Sequence, residues 1–214
     1  TSVTQINYED GTFILHRNGE EALQGDALLV ATGRRPNTEA LQPQHSSIET
    51  DQRGHIEVDQ GFLTSCNGVY AIGDVTGQPA FTHVSWEDYR RLSEILNGGD
   101  RRQGDRTLVY AFFTEPQVGR AGHTLESARK DGYQARAETL PLSHVARALE
   151  LDRTRGFYRL VIDQETDRIL GATLVGPEAA ELVHILLAHM EHRATWQDLD
   201  QSMHIHPAYA EALP

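Results

Sequence analysis

The stretch Gly68-Val69-Tyr70-Ala71-Ile72-Gly73-Asp74 is a short apolar run that ends at a glycine followed by a carboxylate. Its lack of alternation predicts a strand that is buried on both faces. A carboxylate at the C-terminal end of such a strand can accept hydrogen bonds from ribose or ribityl hydroxyls, and the preceding glycine lets a bulky ligand approach the backbone. Taken alone, the pattern is better explained by a turn or helix cap than by a ligand contact.

A second run of this kind, residues 27–31, lies upstream and ends at Thr32-Gly33. Gly33 could let a cofactor pass close to the backbone, or could simply form a turn. Before this run, residues 2–8 and 12–17 alternate as strands do, and Asp10-Gly11 between them predicts a hairpin. The two glycine-terminated runs together are more specific for a cofactor-binding body than either run alone.

Residues 98–106 contain no large apolar residue, which predicts a linker between two bodies. Before the linker, Ser85 and Asp88 predict a capping box at the start of a helix that stops at residues 97–99. Beyond it, meandering strands and segregated helices predict an antiparallel α+β domain. The predicted strands are residues 108–113, 134–140, 157–162 and 169–175, and the predicted helices are residues 124–131 and 177–192.

The composition limits the class of protein. The 214 residues carry a formal net charge of −12, which disfavours general nucleic-acid binding, and the basic cluster Arg101, Arg102 and Arg106 is interpreted as solvated surface. The single cysteine, Cys66, excludes a redox pair of cysteines and favours a cytoplasmic location. No stretch approaches the ~18 uninterrupted apolar residues of a membrane span, so we expect no membrane partner and no secretory leader.

The tail of the sequence holds His206-Pro207 and, further on, Glu211. Proline biases the preceding residue away from helical torsions and suits the first turn of a helix, from which Glu211 could reach back to the imidazole. A histidine held by a carboxylate suits general acid or base chemistry near neutral pH. The alternative is a histidine preceding a helix that carries an ordinary surface glutamate.

Histidines raise a metal-binding alternative. His204 and His206 could lie on one face of a strand, and Glu181 and His184 are spaced for one face of a helix. Carboxylate-bridged dimetal bundles need two Glu-x-x-His pairs, and this sequence has one. Because eleven histidines make chance proximity common, we predict no metal ligands, and a histidine-based metal-binding protein remains only an alternative.

Taken in order, these motifs resemble the C-terminal half of the pyridine nucleotide-disulfide oxidoreductases, the flavoprotein family of dihydrolipoamide dehydrogenase, glutathione reductase and mercuric reductase. Residues 26–37 resemble the segment that leaves the NAD(P) domain, and residues 68–74 resemble the second flavin motif. Residues 114–119 resemble the start of the dimerisation domain, and His206-Pro207 with Glu211 resembles the closing signature.

The resemblance implies an α+β fold in which an antiparallel dimerisation domain with helices follows remnants of α/β FAD- and NAD(P)-binding domains. It implies that residues 1–33 end the NAD(P)-binding domain and that residues 34–99 form the C-terminal part of the FAD-binding domain. Residues 100–106 would be the linker, and residues 107–214 the dimerisation domain.

The resemblance also implies roles for individual residues. His206, oriented by Glu211, would be the acid–base group for the thiol that exchanges with substrate, and it would reach into the partner subunit's site. Ala208 departs from the threonine or serine common after His-Pro, which puts a supporting hydrogen bond in doubt. The implied contacts to FAD and to the nicotinamide nucleotide are Ala31, Thr32, Gly33, Gly73, Asp74, Phe81, Thr82 and His83.

The implied function is part of a homodimeric, FAD-dependent NAD(P)H:disulfide oxidoreductase that acts on a small-molecule or protein disulfide or a related oxidant. No Gly-x-Gly occurs in the chain, and both glycine-rich loops and the cysteine pair of the family are absent. We therefore expect a fragment that is inactive alone, and whether it retains FAD is left open. A non-catalytic dimerisation module is the alternative.

Within the family, residues 81–92 are similar to the branch that reduces reactive chlorine-derived oxidants. A mercuric reductase would usually end in a cysteine pair, whereas this sequence ends Glu211-Ala212-Leu213-Pro214. The resemblance therefore favours the reactive-chlorine branch over mercuric reductase.

Overall fold

A computed structural model describes residues 2–214, and its first part opens with a three-stranded antiparallel sheet. Strands β1 (Val3–Glu9), β2 (Thr12–Arg17) and β3 (Glu20–Gly25) pair in chain order. The predicted hairpin is present, and Asp10 and Gly11 both adopt the positive φ that a tight turn of this type requires. The sequence pattern does not predict β3, because its residues are mostly polar and exposed.

The prediction of two buried strands is wrong. Residues 27–31 are irregular, and the side chain of Leu29 is 89% exposed. Residues 68–74 form only an isolated bridge at Tyr70 before the 3-10 turn Gly73–Thr76. A strand needs neighbouring strands to satisfy its backbone groups, and within residues 2–214 no such ladder forms beside either run.

Helix α1 (Thr82–Leu96) follows, and its start differs from the prediction. Phe81 occupies the N-cap without a side-chain cap, so the expected capping box of Ser85 and Asp88 is wrong. Asp88 is instead fully buried in the first half of the helix, where it accepts a hydrogen bond from the backbone N–H of Gly73. A carboxylate placed there contacts residues outside its own helix.

The second part is a five-stranded antiparallel sheet with helices, which confirms the predicted fold class. The strands run in the order β4-β5-β8-β7-β6. Their bounds are β4 (Val109–Phe112), β5 (Val118–Gly122), β6 (Ala135–Pro141), β7 (Phe157–Asp163) and β8 (Ile169–Val175). The helices are α2 (Leu125–Lys130), α3 (Ala146–Glu150), α4 (Ala179–Glu191) and α5 (Trp196–Asp200).

Strand β5 is the one strand of this sheet that the sequence pattern does not predict. Its two glycines obscure the strand signal, since glycine is depleted in strands. Gly119 pairs with Leu174 of β8, and a Cβ at Gly119 would lie 2.1 Å from the carbonyl oxygen of Ala179. The glycine therefore allows α4 to pack directly against the sheet.

The core of the second part lies between this sheet and α4. Leu174 of β8 and Leu186 of α4 are fully buried, and Tyr209 and Leu213 from the tail join the same cluster. Further 3-10 turns are Glu39–Leu41, Pro43–His45, Gln103–Asp105, Leu142–His144 and Tyr209–Ala212. None of the helices in the described residues has the length and apolar character needed to cross a bilayer.

The prediction that the basic cluster of the connector is solvated surface is wrong for Arg106. The side chain of Arg106 is only 11% exposed and forms an ion pair with Asp88. Arg101 pairs with Glu87 and Glu94 on α1. Long basic side chains lower their exposure when they find acidic partners on a neighbouring helix, so the basic cluster fastens the connector to α1.

Candidate functional site

The tail places His206 against Glu211, with 2.7 Å between Nδ1 and Oε2. The His206-Pro207 peptide bond is cis, and the residues that follow form the short 3-10 turn Tyr209–Ala212. The predicted helix starting at Pro207 is therefore wrong, although the carboxylate lies where that prediction needs it. The turn alone is sufficient because His206 and Glu211 are only five positions apart in the sequence.

This contact sets which nitrogen of the imidazole is free. A carboxylate can only accept a hydrogen bond, so Nδ1 of His206 donates the proton and Nε2 of the neutral ring is left as the acceptor. The His206 side chain is 70% exposed and the Glu211 side chain 21%. The braced imidazole therefore presents Nε2 outward, as an acid or base that acts on another molecule requires.

The tail is anchored on the side of Glu211 and projects on the other side. Tyr209 and Leu213 are buried in the core of the second part, whereas Met203 and Ile205 are highly exposed. The anchored turn holds Glu211 in place, and His206 lies where the chain leaves the core. Exposed apolar residues like those beside His206 are typical of a surface that another molecule or domain covers.

Two tyrosines in the core of the second part, Tyr158 and the turn residue Tyr209, have buried hydroxyls. Burial raises the pKa of Tyr158 far above its usual range, and Tyr209 and Glu178 nearby add to the effect. Burial also raises the pKa of Tyr209, against the opposing charges of Arg153 and Arg147. Among residues 2–214 neither phenol hydroxyl has a hydrogen-bond partner, so both rings serve the core as neutral groups.

The glycine and the carboxylate predicted to contact a flavin lie in the 3-10 turn Gly73–Thr76. Gly73 has a φ of +73°, and a Cβ there would lie 2.7 Å from Oγ of Ser85. Asp74 is half-exposed, with Oδ2 3.1 Å from Nη1 of Arg34. Its carboxylate is thus an accessible acceptor, which is the chemistry that ligand hydroxyls need.

Ala31, Thr32 and Gly33 lie in an exposed irregular segment close to this turn. Gly33 has a φ of +108°, which favours glycine over other residues. Arg34 directly after it reaches Asp74. The structure therefore brings both predicted glycine-terminated runs to one place through a contact that the sequence does not predict.

The segment Phe81, Thr82 and His83 packs against strand β4. The Phe81 ring stacks on Tyr110 with 5.4 Å between centroids, and Nε2 of His83 lies 2.7 Å from the carbonyl oxygen of Val109. These contacts hold the segment predicted to pass beside a flavin against the sheet of the second part. The strand pattern of residues 108–113 predicts packing in a sheet, but it does not predict that this strand lies beside a functional site.

The structure does not bring all predicted site residues together. Within residues 2–214, no hydrogen bond, ion pair or ring contact joins His206 or Glu211 to Asp74 or to the segment 81–83. The predicted residues form two groups, one at the turn beside α1 and one in the tail.

Metal binding is not favoured as the alternative. The described residues contain no group of three or more His, Cys, Asp or Glu side chains that could hold a metal ion. His204 lies 3.1 Å from the carbonyl oxygen of Ser202, a local backbone contact. The histidine spacings in the sequence do not produce a ligand set in space.

Comparison with known families identifies the class of protein. The model for "Pyridine nucleotide-disulphide oxidoreductase, dimerisation domain" matches residues 109–214, and the model for "Pyridine nucleotide-disulphide oxidoreductase" matches residues 1–88. The chain therefore belongs to the pyridine nucleotide-disulfide oxidoreductase family, as its motifs predict.

Relatives of this chain are found among several enzymes of the family. The probable pyridine nucleotide-disulfide oxidoreductase RclA of Escherichia coli is 35% identical over 99% of this chain and 48% of the relative. The mercuric reductase of Acidithiobacillus ferrooxidans is 35% identical over 100% of this chain and 39% of the relative. The dihydrolipoyl dehydrogenase of Thermus scotoductus is 36% identical over 100% of this chain and 48% of the relative.

A solved structure has a similar fold over the whole length of this chain. The structure titled "Cu(II) complex of HOCl-induced flavoprotein disulfide reductase RclA from Escherichia coli" matches with a TM-score of 0.89 at 33% identity. The match covers 100% of this chain and 48% of that chain. The chain thus spans about half the length, or less, of the relatives it matches.

Proposed function

We propose that this chain supplies flavin-contacting residues and the acid–base group of a homodimeric, FAD-dependent NAD(P)H:disulfide oxidoreductase. The observation that carries the proposal is the 2.7 Å contact between His206 and Glu211 on an anchored turn. A general acid–base group needs a fixed tautomer and an accessible nitrogen, and this imidazole has both. The family assignment supplies the reaction class.

The proposed division of the chain follows from the same family. Residues 1–33 would end the NAD(P)-binding domain, and residues 34–99 would belong to the FAD-binding domain. Residues 100–106 are the connector, and residues 107–214 would form the dimerisation domain. The change from turn-rich structure to a sheet with its own core supports the last boundary.

The residues beside α1 fit the ribityl part of FAD. Asp74 offers a half-exposed carboxylate to hydroxyl donors, and Gly33 lies in an exposed segment where its backbone is accessible. When bound, FAD would supply electron transfer between a nicotinamide and a disulfide. The chain contains no Gly-x-Gly, so the cofactor's pyrophosphate would be held by other parts of the complete protein.

The separation of the two site groups supports a homodimeric site. His206 is exposed at the end of an anchored turn, and within residues 2–214 no hydrogen bond, ion pair or ring contact joins it to the proposed flavin-contacting residues. In the proposed dimer, His206 of one subunit serves the flavin of the other. His206 would there protonate or deprotonate the thiol that exchanges with a small-molecule or protein disulfide.

The oxidant of this reaction is proposed from the relatives. The E. coli protein is described as an HOCl-induced flavoprotein disulfide reductase, and this chain shares its fold at 33% identity. We therefore place the chain in a branch acting on disulfides or reactive-chlorine-derived oxidants. A cytoplasmic location agrees with a chain whose one cysteine cannot form an internal disulfide.

The proposal is tested in the complete reductase that contains this chain. His206→Ala should lower disulfide-exchange turnover by about 10²-fold or more, because the proton transfer loses its acid–base group. Glu211→Gln should lower it less, by about 10-fold, since the imidazole remains but is no longer oriented by a charge. Turnover is measured under steady-state conditions with NADH or NADPH.

The matched control is His204→Ala, which removes an imidazole two residues away that lacks a carboxylate partner. This variant should keep turnover within about twofold of the wild type, because its ring is not placed to serve the reaction. Equal turnover in the His206→Ala and His204→Ala variants would remove His206 from the mechanism.

The isolated 214-residue chain has a second candidate function, that of a non-catalytic dimerisation module. The exposed run at residues 27–31 and the absence of any Gly-x-Gly favour it. A visible absorption spectrum distinguishes the two, since a purified chain that retains FAD is yellow. A colourless chain that sediments as a dimer would support the module.

A further inference from the structure

We propose that Asp88 and Arg106 are positioning residues, which fix the turn Gly73–Thr76 for FAD by tying it to the connector that enters the second part. The inference rests on the proposed function, because it assigns a purpose to contacts around the flavin-contacting turn. Asp88 on α1 contacts two other segments: it forms an ion pair with Arg106 in the connector and accepts a hydrogen bond from Gly73 in the turn.

Asp88 is the centre of this arrangement. It is fully buried, and its Oδ2 accepts the backbone N–H of Gly73 at 2.9 Å. Its Oδ1 accepts a hydrogen bond from Nη1 of Arg106. A buried carboxylate is costly unless it is both paired and hydrogen-bonded, and here each oxygen is occupied by a different segment.

Arg106 holds the other end of the turn as well. Its Nη2 donates to Oε1 of Gln78 at 2.9 Å, and Gln78 lies two residues beyond the turn. The guanidinium therefore reaches one side of the turn through Asp88 and the other side directly. A planar guanidinium with several fixed donors is suited to such a bridge, whereas a lysine offers a single point charge.

The connector continues from Arg106 into the second part. The backbone N–H of Thr107 lies 3.4 Å from Oε1 of Glu191 at the end of α4, and β4 begins at Val109. The position of the turn is thus linked through one residue to the domain that carries His206. This link gives the two groups of site residues a common frame within one chain.

The contact controls Asp74 because Gly73 is its direct neighbour. Gly73 adopts a φ of +73° and packs against Ser85, so its peptide has little freedom to reorient. Losing the acceptor for its N–H would leave a buried donor unpaired, which favours rotation of that peptide. Rotation would move the carboxylate of Asp74 away from the position proposed for the ribityl hydroxyls.

Other contacts hold the connector in place when this ion pair is removed. Arg91 on α1 is nearly buried and donates to the carbonyl oxygen of Arg102 at 2.6 Å. Glu87 binds Arg101 and Arg91. Substitution of Asp88 or Arg106 should therefore disturb the turn without detaching the connector, and this makes the positioning role measurable.

The test uses the complete reductase, from which FAD is removed and then added back. The dissociation constant for FAD is followed by flavin fluorescence. Arg106→Gln should raise it about 10-fold, because Asp88 loses its charged partner and then holds the N–H of Gly73 less firmly. Asp88→Ala should raise it further, and Asp88→Asn should recover part of that loss because the amide oxygen still accepts from Gly73.

The matched control is Arg90→Gln on the same helix. Arg90 is exposed, and its ion-pair partner among residues 2–214 is Glu87, so this variant should change the dissociation constant less than twofold. Circular dichroism of the bound flavin in the visible range supplies a second reading. A displaced Asp74 alters this signal in the Arg106→Gln holoenzyme, whereas a general loss of stability leaves the bound flavin's signal unchanged.

The outcomes separate the two proposals. A complete wild-type protein that does not bind FAD would overturn the proposed function itself. A wild type that binds FAD, with Arg106→Gln matching Arg90→Gln in affinity and flavin dichroism, would overturn the positioning role alone. If Asp88→Ala does not fold, Arg106→Gln and Asp88→Asn still decide the question, because both retain an acceptor for Gly73.

Discussion

The two parts of the molecule bury their apolar side chains to very different extents. The first part is residues 2–107, and the second part is residues 109–214. In the second part, a continuous cluster draws on the sheet, α4 and the tail, with Leu174 and Leu186 fully buried. In the first part, the buried apolar residues are Ile56, Phe62, Ala71 and Val84. The dimerisation domain has its own core, whereas the first part buries only these few apolar side chains.

The same kind of apolar sequence therefore has different fates in the two parts. Residues 169–175 form a central strand because β5 and β7 flank it. Residues 27–31 are as apolar, yet no strand of the described residues pairs with them, and Leu29 is exposed. A strand is buried only where neighbouring elements cover it. The first part therefore leaves apolar side chains of residues 27–31 exposed.

The largest expected effect separates the two parts by stability. Leu186→Ala should lower the free energy of unfolding by about 2–5 kcal/mol, because it leaves a cavity in the core. Leu29→Ala should change it by less than about 0.5 kcal/mol, because its side chain is already exposed. Urea unfolding of the 214-residue chain, followed by circular dichroism and tryptophan fluorescence, measures both. Similar losses in the two variants would contradict the contrast.

A smaller effect tests how tightly the first part is packed around its turn. Gly73→Ala forces a positive φ on a Cβ residue and places that Cβ against Ser85. We expect a loss of about 2–3 kcal/mol, from backbone strain and overpacking together. Gly98→Ala is the matched control, because Gly98 has a φ of +89° and open space around its Cβ, and should cost about 1 kcal/mol.

Thermal unfolding of the complete protein measures this difference. Replacement of Ser85 by alanine in the Gly73→Ala background should recover part of the loss, since it removes the hydroxyl that the new Cβ meets. Equal losses for Gly73→Ala and Gly98→Ala would show that the turn is loosely packed and that the first part has no tight contacts there.

The smallest effect concerns the alkaline limit of the second part. Burial raises the pKa of Tyr158, so the folded state keeps a proton that the unfolded chain releases near pH 10. The contribution of Tyr158 is fully present below about pH 10 and is lost as pH rises toward its folded pKa, by up to about 1.4 kcal/mol per pH unit. Tyr158→Phe should flatten the decline of stability above pH 10.

Urea unfolding of the chain at pH 7 and at pH 11 measures this slope. At pH 7 the phenol is neutral in both states, so the comparison at that pH isolates the cost of losing the hydroxyl. Tyr209→Phe should flatten the decline less, because the charges of Arg153 and Arg147 oppose the effect of burial there. An unchanged slope for Tyr158→Phe would show that its hydroxyl is solvated in the folded state.

Local sequence patterns predicted the parts of this molecule that depend on near neighbours. The alternation around Asp10-Gly11 predicted the hairpin, and the strand runs after residue 107 predicted the antiparallel domain. The spacing of His206 and Glu211 predicted that a carboxylate could reach the imidazole. Each rests on residues close in the chain or on a repeating pattern within one element.

Patterns that depend on distant partners were read wrongly. The spacing of Ser85 and Asp88 matches a capping box. The carboxylate of Asp88 instead accepts hydrogen bonds from Gly73 and Arg106. The basic connector looked solvated, but Arg106 is nearly buried. A spacing rule carries no information about which segment from elsewhere will supply the stronger partner for a charge.

The amino-acid sequence by itself determined the family, the antiparallel sheet and the order of the motifs, because periodicity and short spacings are set by the chain's own geometry. Only the tertiary structure decided that Arg34 meets Asp74, that Arg106 holds Asp88, and that His206 faces outward. These contacts join segments distant in sequence, so burial and charge pairing in three dimensions select them.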